Sequence, residues 1–139
     1  MRVYEPQAAG ENGRALRCPR CVVIMGRVEY PAGKALAPAD YVTASEGFTL
    51  RANYSYMRMV GGVAAIYLNF QASEAMAADT SYTLGTLDAS IYPGTQVLPT
   101  TYNVTGKALI GRTTGEIKFT PDKAYGANTH FYIYAAYLI

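Results

Sequence analysis

Hydrophobic and polar residues alternate along most of the chain, and Gly, Pro, Asn and Asp interrupt this alternation at short intervals. The alternation is clearest in YSYMRMVGGVAAIYLNF, residues 54–70, where two strand-like runs flank Gly61 and Gly62. Further strands are predicted at residues 21–30, 82–87, 107–112, 116–120 and 130–139. No segment keeps a helical period, although the Ala-rich residues 71–79 have room for one helical turn. Residues 31–40 are predicted as a loop, and the whole pattern predicts an all-β antiparallel sandwich or barrel.

The double glycine fixes a register for the hairpin at 54–70, because tight two-residue turns need a positive φ that Gly adopts easily. With a two-residue turn, Val60 faces Val63, and one face of the hairpin becomes apolar enough to be core. The opposite face carries Tyr54, Tyr56, Arg58, Tyr67 and Asn69. A sheet face in water usually carries Lys, Glu and Thr, so this aromatic face is expected to pack on a second sheet or a neighbouring subunit. The alternative is a surface on which sugars stack.

The last predicted strand, HFYIYAAYLI at 130–139, has apolar or aromatic residues on both of its faces. Alternation places Phe131 and Ile133 on one face and Tyr132 and Tyr134 on the other. A strand with two such faces is typical of a central strand that is covered on both sides.

Composition limits the classes of protein that fit. The chain has 139 residues, 50% of them hydrophobic and only 16% charged, which suits one domain whose surface is partly hidden in an oligomer. The net charge is +2 and the basic residues are scattered, so no nucleic-acid footprint is expected. The start, MRVYEPQ, lacks the apolar stretch of a signal peptide, and no run reaches the length of a membrane span. We therefore expect folding in a cytoplasm and no membrane insertion.

Three segments and the final strand together resemble the C-terminal head domains of bacteriophage tail fibres and baseplate receptor-binding proteins. The segments are the opening hairpin at 54–70, YTLGTLDASIYPGTQV at 82–97 and GRTTGEIKFTPD at 111–122. Leu87-Asp88 stands where that family usually has Leu-Pro. The resemblance covers residues 48–139, and the order and spacing of the segments carry it.

This resemblance implies a jelly-roll-like β-sandwich head at 48–139, preceded by an N-terminal linker or neck with a short strand at 1–47. It implies a homotrimer in the virion, at the tail tip or baseplate, assembled in the host cytoplasm beside other tail proteins. Its function would be adhesion to a bacterial surface saccharide or other receptor, strengthened by multivalency. The alternatives are a structural virion or appendage component without receptor binding, and a bacterial carbohydrate-binding module.

Two sets of site residues follow as expectations. Loops or loop ends are the expected place for receptor contacts, because Tyr stacks on a pyranose ring while Asn and His bond its hydroxyl groups. The candidate receptor-binding residues are Tyr102, Asn103, Tyr125, Asn128 and His130. The alternative for each Asn is that it only makes a turn. The candidate oligomer interface is the hairpin face formed by Tyr54, Tyr56, Arg58 and Tyr67.

Residues fit for catalysis are scarce. His130 is the only histidine, and no carboxylate in the sequence is placed to orient it as a general base. Cys18-Pro19-Arg20-Cys21 supplies half of a tetrahedral zinc site, a weak metal candidate, since free thiols or a local disulfide are also compatible with it. The sequence therefore predicts a binding protein that is not an enzyme and has no cofactor.

Overall fold

The computed structural model describes residues 22–24, 27–29 and 33–139. The chain divides into two units, Met1–Gly33 and Lys34–Ile139. Within the first unit, strand β1 (Val22–Ile24) pairs antiparallel with β2 (Arg27–Glu29). The strand predicted at 21–30 is therefore a short hairpin.

The larger sheet of the second unit has six strands. They are β3 (Lys34–Leu36), β5 (Phe48–Leu50), β6 (Tyr56–Val60), β7 (Val63–Ala72), β9 (Thr100–Tyr102) and β12 (His130–Leu138). The order from one edge to the other is β3, β6, β7, β12 and β9, while β5 pairs with the part of β7 beyond β6. The long pairing of β7 with β12 forms the centre of this sheet.

The smaller sheet has four strands. They are β4 (Val42–Ala44), β8 (Tyr82–Leu87), β10 (Gly106–Ile110) and β11 (Glu116–Pro121). Their order is β10, β11, β8 and β4. Helix α1 (Pro38–Tyr41) and two 3-10 turns, Ala52–Tyr54 and Ala89–Ile91, complete the described elements. Strand pairing in the described residues is antiparallel throughout, which confirms the all-β prediction. None of the described helices is long and apolar enough to span a membrane.

The hairpin at 54–70 has the predicted register over five pairs, from Tyr56 opposite Tyr67 to Val60 opposite Val63. Gly61 has a φ of 63°, the positive value expected at the first position of a tight hairpin turn. Beyond Tyr56 the ladder stops, because Tyr54 lies in a 3-10 turn. The Ser55 hydroxyl instead accepts a hydrogen bond from the Asn69 backbone N–H at 2.9 Å.

One buried cluster contains residues from both sheets of the second unit. Phe131, on β12 of the larger sheet, has its ring centroid 5.4 Å from that of Phe119 on β11 of the smaller sheet. It also lies 6.4 Å from Phe70 on β7, and all three rings are fully buried. The inward positions of the hairpin, including Met57 and Ile66, belong to the same cluster, as their alternation predicts.

Two stretches differ from their predicted structures. Residues 31–40 are predicted as a loop, but they contain β3, which pairs with β6, and most of α1, in which Pro occupies the first turn, where its missing N–H is tolerated. Residues 71–79, whose alanines allow one helical turn, do not form one. Met76 is fully buried and exchanges backbone hydrogen bonds with Tyr125, so tertiary pairing overrides the helical propensity of the alanines.

Strand β12 is central, as predicted, since it pairs with β7 on one side and β9 on the other. Within residues 34–139, the smaller sheet packs on its inward face. Tyr134 is 37% exposed and Leu138 70% exposed on the outward face. The described residues therefore do not provide the predicted cover of the outward face.

Candidate functional site

Six tyrosines lie on the outward side of the six-stranded sheet. Five are on strands β6, β7, β9 and β12, and one is in the 3-10 turn before β6. We call this surface the tyrosine face, formed by Tyr54, Tyr56, Tyr67, Tyr102, Tyr132 and Tyr134. Alternation along β6, β7 and β12 places these side chains opposite the buried residues of the same strands. The register then sets them side by side, because Tyr67 faces Tyr56 on one neighbouring strand and Tyr134 on the other.

Four of the six rings, on β7, β12 and β9, form a continuous chain. Tyr67 and Tyr132 are stacked with centroids 4.5 Å apart and planes 14° apart. Tyr134 lies 5.6 Å from Tyr67, and Tyr102 lies 6.0 Å from Tyr132. These distances fall in the range of favourable aromatic pairs, so each ring fixes the position of its neighbours before anything binds.

Two arginines border the rings near β6. The Arg58 guanidinium lies 5.7 Å from the Tyr56 ring centroid, and its Nε donates a hydrogen bond to the Tyr56 hydroxyl at 2.7 Å. Arg51 lies over the Tyr54 ring at 4.2 Å. Both contacts are cation–π pairs, which leave the guanidinium groups less hydrated than free cations. This edge of the tyrosine face therefore carries positive charge on planar groups suited to packing.

Much of the tyrosine face is open in the single chain. Tyr102 is 61% exposed and Tyr54 56% exposed. At the hairpin end the face continues into exposed Val60 and Val63 and, opposite Val63, Leu138. Single soluble chains seldom expose an apolar surface extending over several strands, so a surface of this kind marks an interaction site.

Asn69 lies on the outward side of β7, directly opposite Tyr132, and is fully buried. Its backbone groups are paired, since its carbonyl accepts a hydrogen bond from the Arg51 N–H at 2.8 Å and its N–H reaches the Ser55 hydroxyl. Neither atom of its side-chain amide has a partner among the residues that the structure describes. A buried amide left without partners costs on the order of 1–3 kcal/mol, so this position is expensive for a purely structural role.

The rings also change one another's ionisation. Burial raises the pKa of the Tyr67 phenol, and the neighbouring phenols of Tyr132, Tyr102 and Tyr134 raise it further. The neutral phenol of Tyr67 has a hydroxyl that can act as both a hydrogen-bond donor and an acceptor.

The structure brings the predicted receptor residues to one end of the same sheet. The Asn103 side-chain amide donates a hydrogen bond to the His130 carbonyl at 2.6 Å. Gln71, opposite His130 in the register, donates to the Asn128 carbonyl at 3.3 Å. Tyr125 is tied to this end through Thr105, whose backbone N–H donates to the Tyr125 hydroxyl at 2.8 Å.

Some of these residues also have structural roles. Asn103 and Asn128 have φ values of 79° and 67°, a region in which Asn is favoured among non-glycine residues. Hydrogen bonding to Thr105 lowers the pKa of the Tyr125 phenol, so its hydroxyl is engaged within the chain. Four members of the set, Tyr102, Asn103, Asn128 and His130, are exposed, and Tyr125 is partly buried.

The two predicted sets lie on one continuous surface, which the sequence analysis did not anticipate. Tyr132 stacks on Tyr67 of the interface set and contacts Tyr102 of the receptor set. Tyr132 and Tyr134 belong to neither predicted set, although their alternation in the last strand was visible. Asn69 was placed on the aromatic hairpin face by its alternation, but its complete burial was not predicted.

The described residues contain no group of three or more His, Cys, Asp or Glu side chains placed to hold a metal ion. Cys18 and Cys21, the weak metal candidate, lie outside the described residues. No protein-family model matches this chain, and a search of the curated proteins finds no match. The functional conclusion therefore depends on the tyrosine face and its surroundings.

Proposed function

We propose that this chain is the receptor-binding head of a phage tail fibre or baseplate, which attaches the virion to a saccharide or other receptor on a bacterial surface. The observation that carries the proposal is the tyrosine face, an open surface of neighbouring aromatic rings on the larger sheet that is bordered by two arginines. Such a surface suits binding, and no acid, base or nucleophile is required of it.

In the proposal, the interface part of the tyrosine face is covered by sister chains in a homotrimer. Tyr56, Tyr67 and Arg58 supply large, preorganised contact area, and aromatic and Arg side chains are the residue types enriched at protein interfaces. The three-fold arrangement follows the resemblance to tail-fibre heads.

The architecture in this proposal is a jelly-roll-like β-sandwich. Support comes from the cluster shared by the two sheets, in which Phe119 of one sheet contacts Phe131 of the other. A sandwich leaves both outer faces available, so one can serve assembly while strand ends and loops at the rim carry receptor contacts.

The receptor site is proposed at the end of the larger sheet where Tyr102 is most exposed and His130 and Asn103 lie beside it. A single shallow contact with a sugar is weak, because desolvation of hydroxyl groups offsets much of the stacking energy. Three copies held together would raise the avidity by roughly 10² to 10⁴.

Flow cytometry of the fluorescently labelled chain on bacteria with different surface polysaccharides tests the proposal. We expect decoration of some strains, loss of decoration with Tyr102→Ala, and no loss with Thr83→Ala on the smaller sheet. Decoration that survives removal of Tyr102 would move the receptor site elsewhere. A trimer that decorates no cells would contradict receptor binding and favour a structural virion component.

A second candidate is a monomeric carbohydrate-binding module that uses the tyrosine face itself. The stacked Tyr67–Tyr132 pair favours it, because planar rings held in place are the platform on which pyranose rings stack. A monomer in solution that binds soluble polysaccharide, and loses that binding with Tyr132→Ala, would select this function over the trimeric head.

A further inference from the structure

The second unit has a cavity near the end of β7, away from the tyrosine face. Its volume is about 330 Å³, and Glu46, Gly47, Phe48, Glu74, Ala75, Met76 and Tyr82 line it. None of the six tyrosines of the tyrosine face takes part in the lining. The cavity is large enough for a small organic ligand.

Two of the segments that line the cavity, residues 46–48 and 74–76, are linked by hydrogen bonds through the neighbouring Ser73. Both the backbone N–H and the hydroxyl of Ser73 donate hydrogen bonds to the Gly47 carbonyl at 2.9 Å. Gly47 has a φ of 91°, a conformation that glycine adopts without strain. These bonds join residues 46–48 to residues 73–76, the two segments that supply most of the cavity lining.

The walls are aromatic and apolar. The rings of Phe48 and Tyr82 meet edge to face with centroids 6.0 Å apart, and Met76 is fully buried beneath. The Tyr82 hydroxyl accepts a hydrogen bond from the Ala77 backbone N–H at 2.7 Å, which fixes the orientation of that ring. A preformed pocket of this kind does not have to be ordered when a ligand enters.

Two carboxylates lie at this aromatic pocket without neutralising partners. Glu46 and Glu74 are exposed, and neither has an ion pair or side-chain hydrogen bond with any residue in the described part of the chain. Two like charges beside apolar walls repel anions and attract cations. The charge and the walls together select for a ligand that is both positive and apolar.

We propose that this cavity binds an alkylated ammonium group. Aromatic rings combined with carboxylates recognise such cations, because the methyl groups pack on the rings while the diffuse charge needs no directed ligands. A divalent cation such as Ca²⁺ needs six to eight oxygen ligands, which two carboxylates in an apolar cavity do not provide. The site is distinct from the proposed receptor site and stands without it.

The test is an NMR titration of the full chain with choline chloride, followed at the Met76 methyl group and the Phe48 and Tyr82 rings. The matched probe is 3,3-dimethyl-1-butanol, which has the same shape as choline but no charge. We expect saturable shifts at these three residues with choline and binding at least tenfold weaker with the neutral alcohol. Equal binding of the two probes, or no shift at the cavity, would overturn the proposal.

Variants locate the charge requirement. The double variant Glu46→Gln with Glu74→Gln should weaken choline binding roughly tenfold, the loss expected for about 1.4 kcal/mol. Both side chains are exposed, so the fold should be retained. Asp40→Asn, on α1 outside the cavity, removes a comparable surface charge and should leave the affinity unchanged. Choline binding that is unaffected by the double variant would also overturn the proposal.

Discussion

The outward faces of the two sheets in the second unit differ sharply, although the same buried cluster lies beneath both. On the smaller sheet this face, which we call the charged face, carries Thr83, Lys107, Glu116, Lys118 and Thr120. On the larger sheet it carries the tyrosine face. The two outward faces therefore differ in chemistry, one being rich in charged and hydroxyl side chains and the other in tyrosine.

The charged face shows that this chain can form a sheet surface suited to water, so the low overall charge of the chain does not by itself account for the tyrosine face. Lys118 and Glu116 form an ion pair at 3.5 Å, and Lys107 stands opposite Thr120 in the register, the alternation expected of a half-exposed antiparallel sheet. Nothing prevents the chain from making a hydrated sheet. The tyrosine face departs from that pattern over four strands, and the proposal explains the departure by contact with another surface.

The largest expected effect on stability comes from substitutions on the inward side of β12, compared with substitutions on its outward side. Phe131→Ala should lower the free energy of unfolding by about 3–5 kcal/mol, because it removes a fully buried ring between the sheets. Tyr132→Ala, its immediate neighbour, should cost the isolated chain less than about 2 kcal/mol, because its ring is only partly buried. Urea denaturation of both variants measures this. Equal losses would mean that the tyrosine face is part of the core.

A smaller effect of opposite sign is expected at Asn69. Asn69→Leu removes an amide that has no described partner and should stabilise the dissociated chain by about 1–2 kcal/mol. Gln71→Leu, two residues along the same strand, is the control and should change stability by less than about 0.5 kcal/mol. Destabilisation by Asn69→Leu would show that the amide is already satisfied.

Tyr137 provides a pH-dependent comparison on the inward side of β12. Its hydroxyl donates to the Ile91 carbonyl at 2.8 Å, so Tyr137→Phe should cost about 1 kcal/mol at pH 7. Burial raises the pKa of Tyr137 to about 12, against roughly 10 when unfolded. The stabilisation from the neutral phenol is complete below pH 10 and is lost as the pH rises to 12. The stability gap between wild type and variant should shrink over that range, whereas a constant gap would contradict the burial.

The smallest effect is expected on the charged face. Lys118 and Glu116 have side chains that are 43% and 44% exposed, so their ion pair is screened by water. Lys118→Gln should change the free energy of unfolding by less than about 1 kcal/mol and leave assembly unchanged. A loss above 2 kcal/mol in thermal denaturation would show that this face is also covered by a partner.

The sequence predicted the local parts of this fold well. Gly61 and the alternation around it were sufficient for the register of the hairpin, and β8 has the predicted bounds, Tyr82–Leu87. Residues 34–41 were missed because Pro31 and Pro38 indicate a loop, whereas pairing with β6 makes β3 a strand. A short edge strand of this kind is stabilised by its partner, which a single sequence does not reveal.

The sequence predicted individual residues of the candidate site but not their arrangement, because the site is formed by strands that are far apart in the sequence. Tyr102 joins Tyr132 only through the pairing of β9 with β12, and Tyr132 joins Tyr67 only through the pairing of β12 with β7. Alternation assigned each tyrosine to a face of its own strand, but it contained no information about which strands are neighbours.

The mass of the chain in solution tests the central claim most directly. Analytical ultracentrifugation at micromolar concentration should give a trimer for the wild type, a monomer for Tyr67→Lys and a trimer for Thr120→Lys, which adds the same charge to the charged face. A wild-type chain that sediments as a stable monomer, or a Tyr67→Lys variant that remains a trimer, would contradict assembly through the tyrosine face.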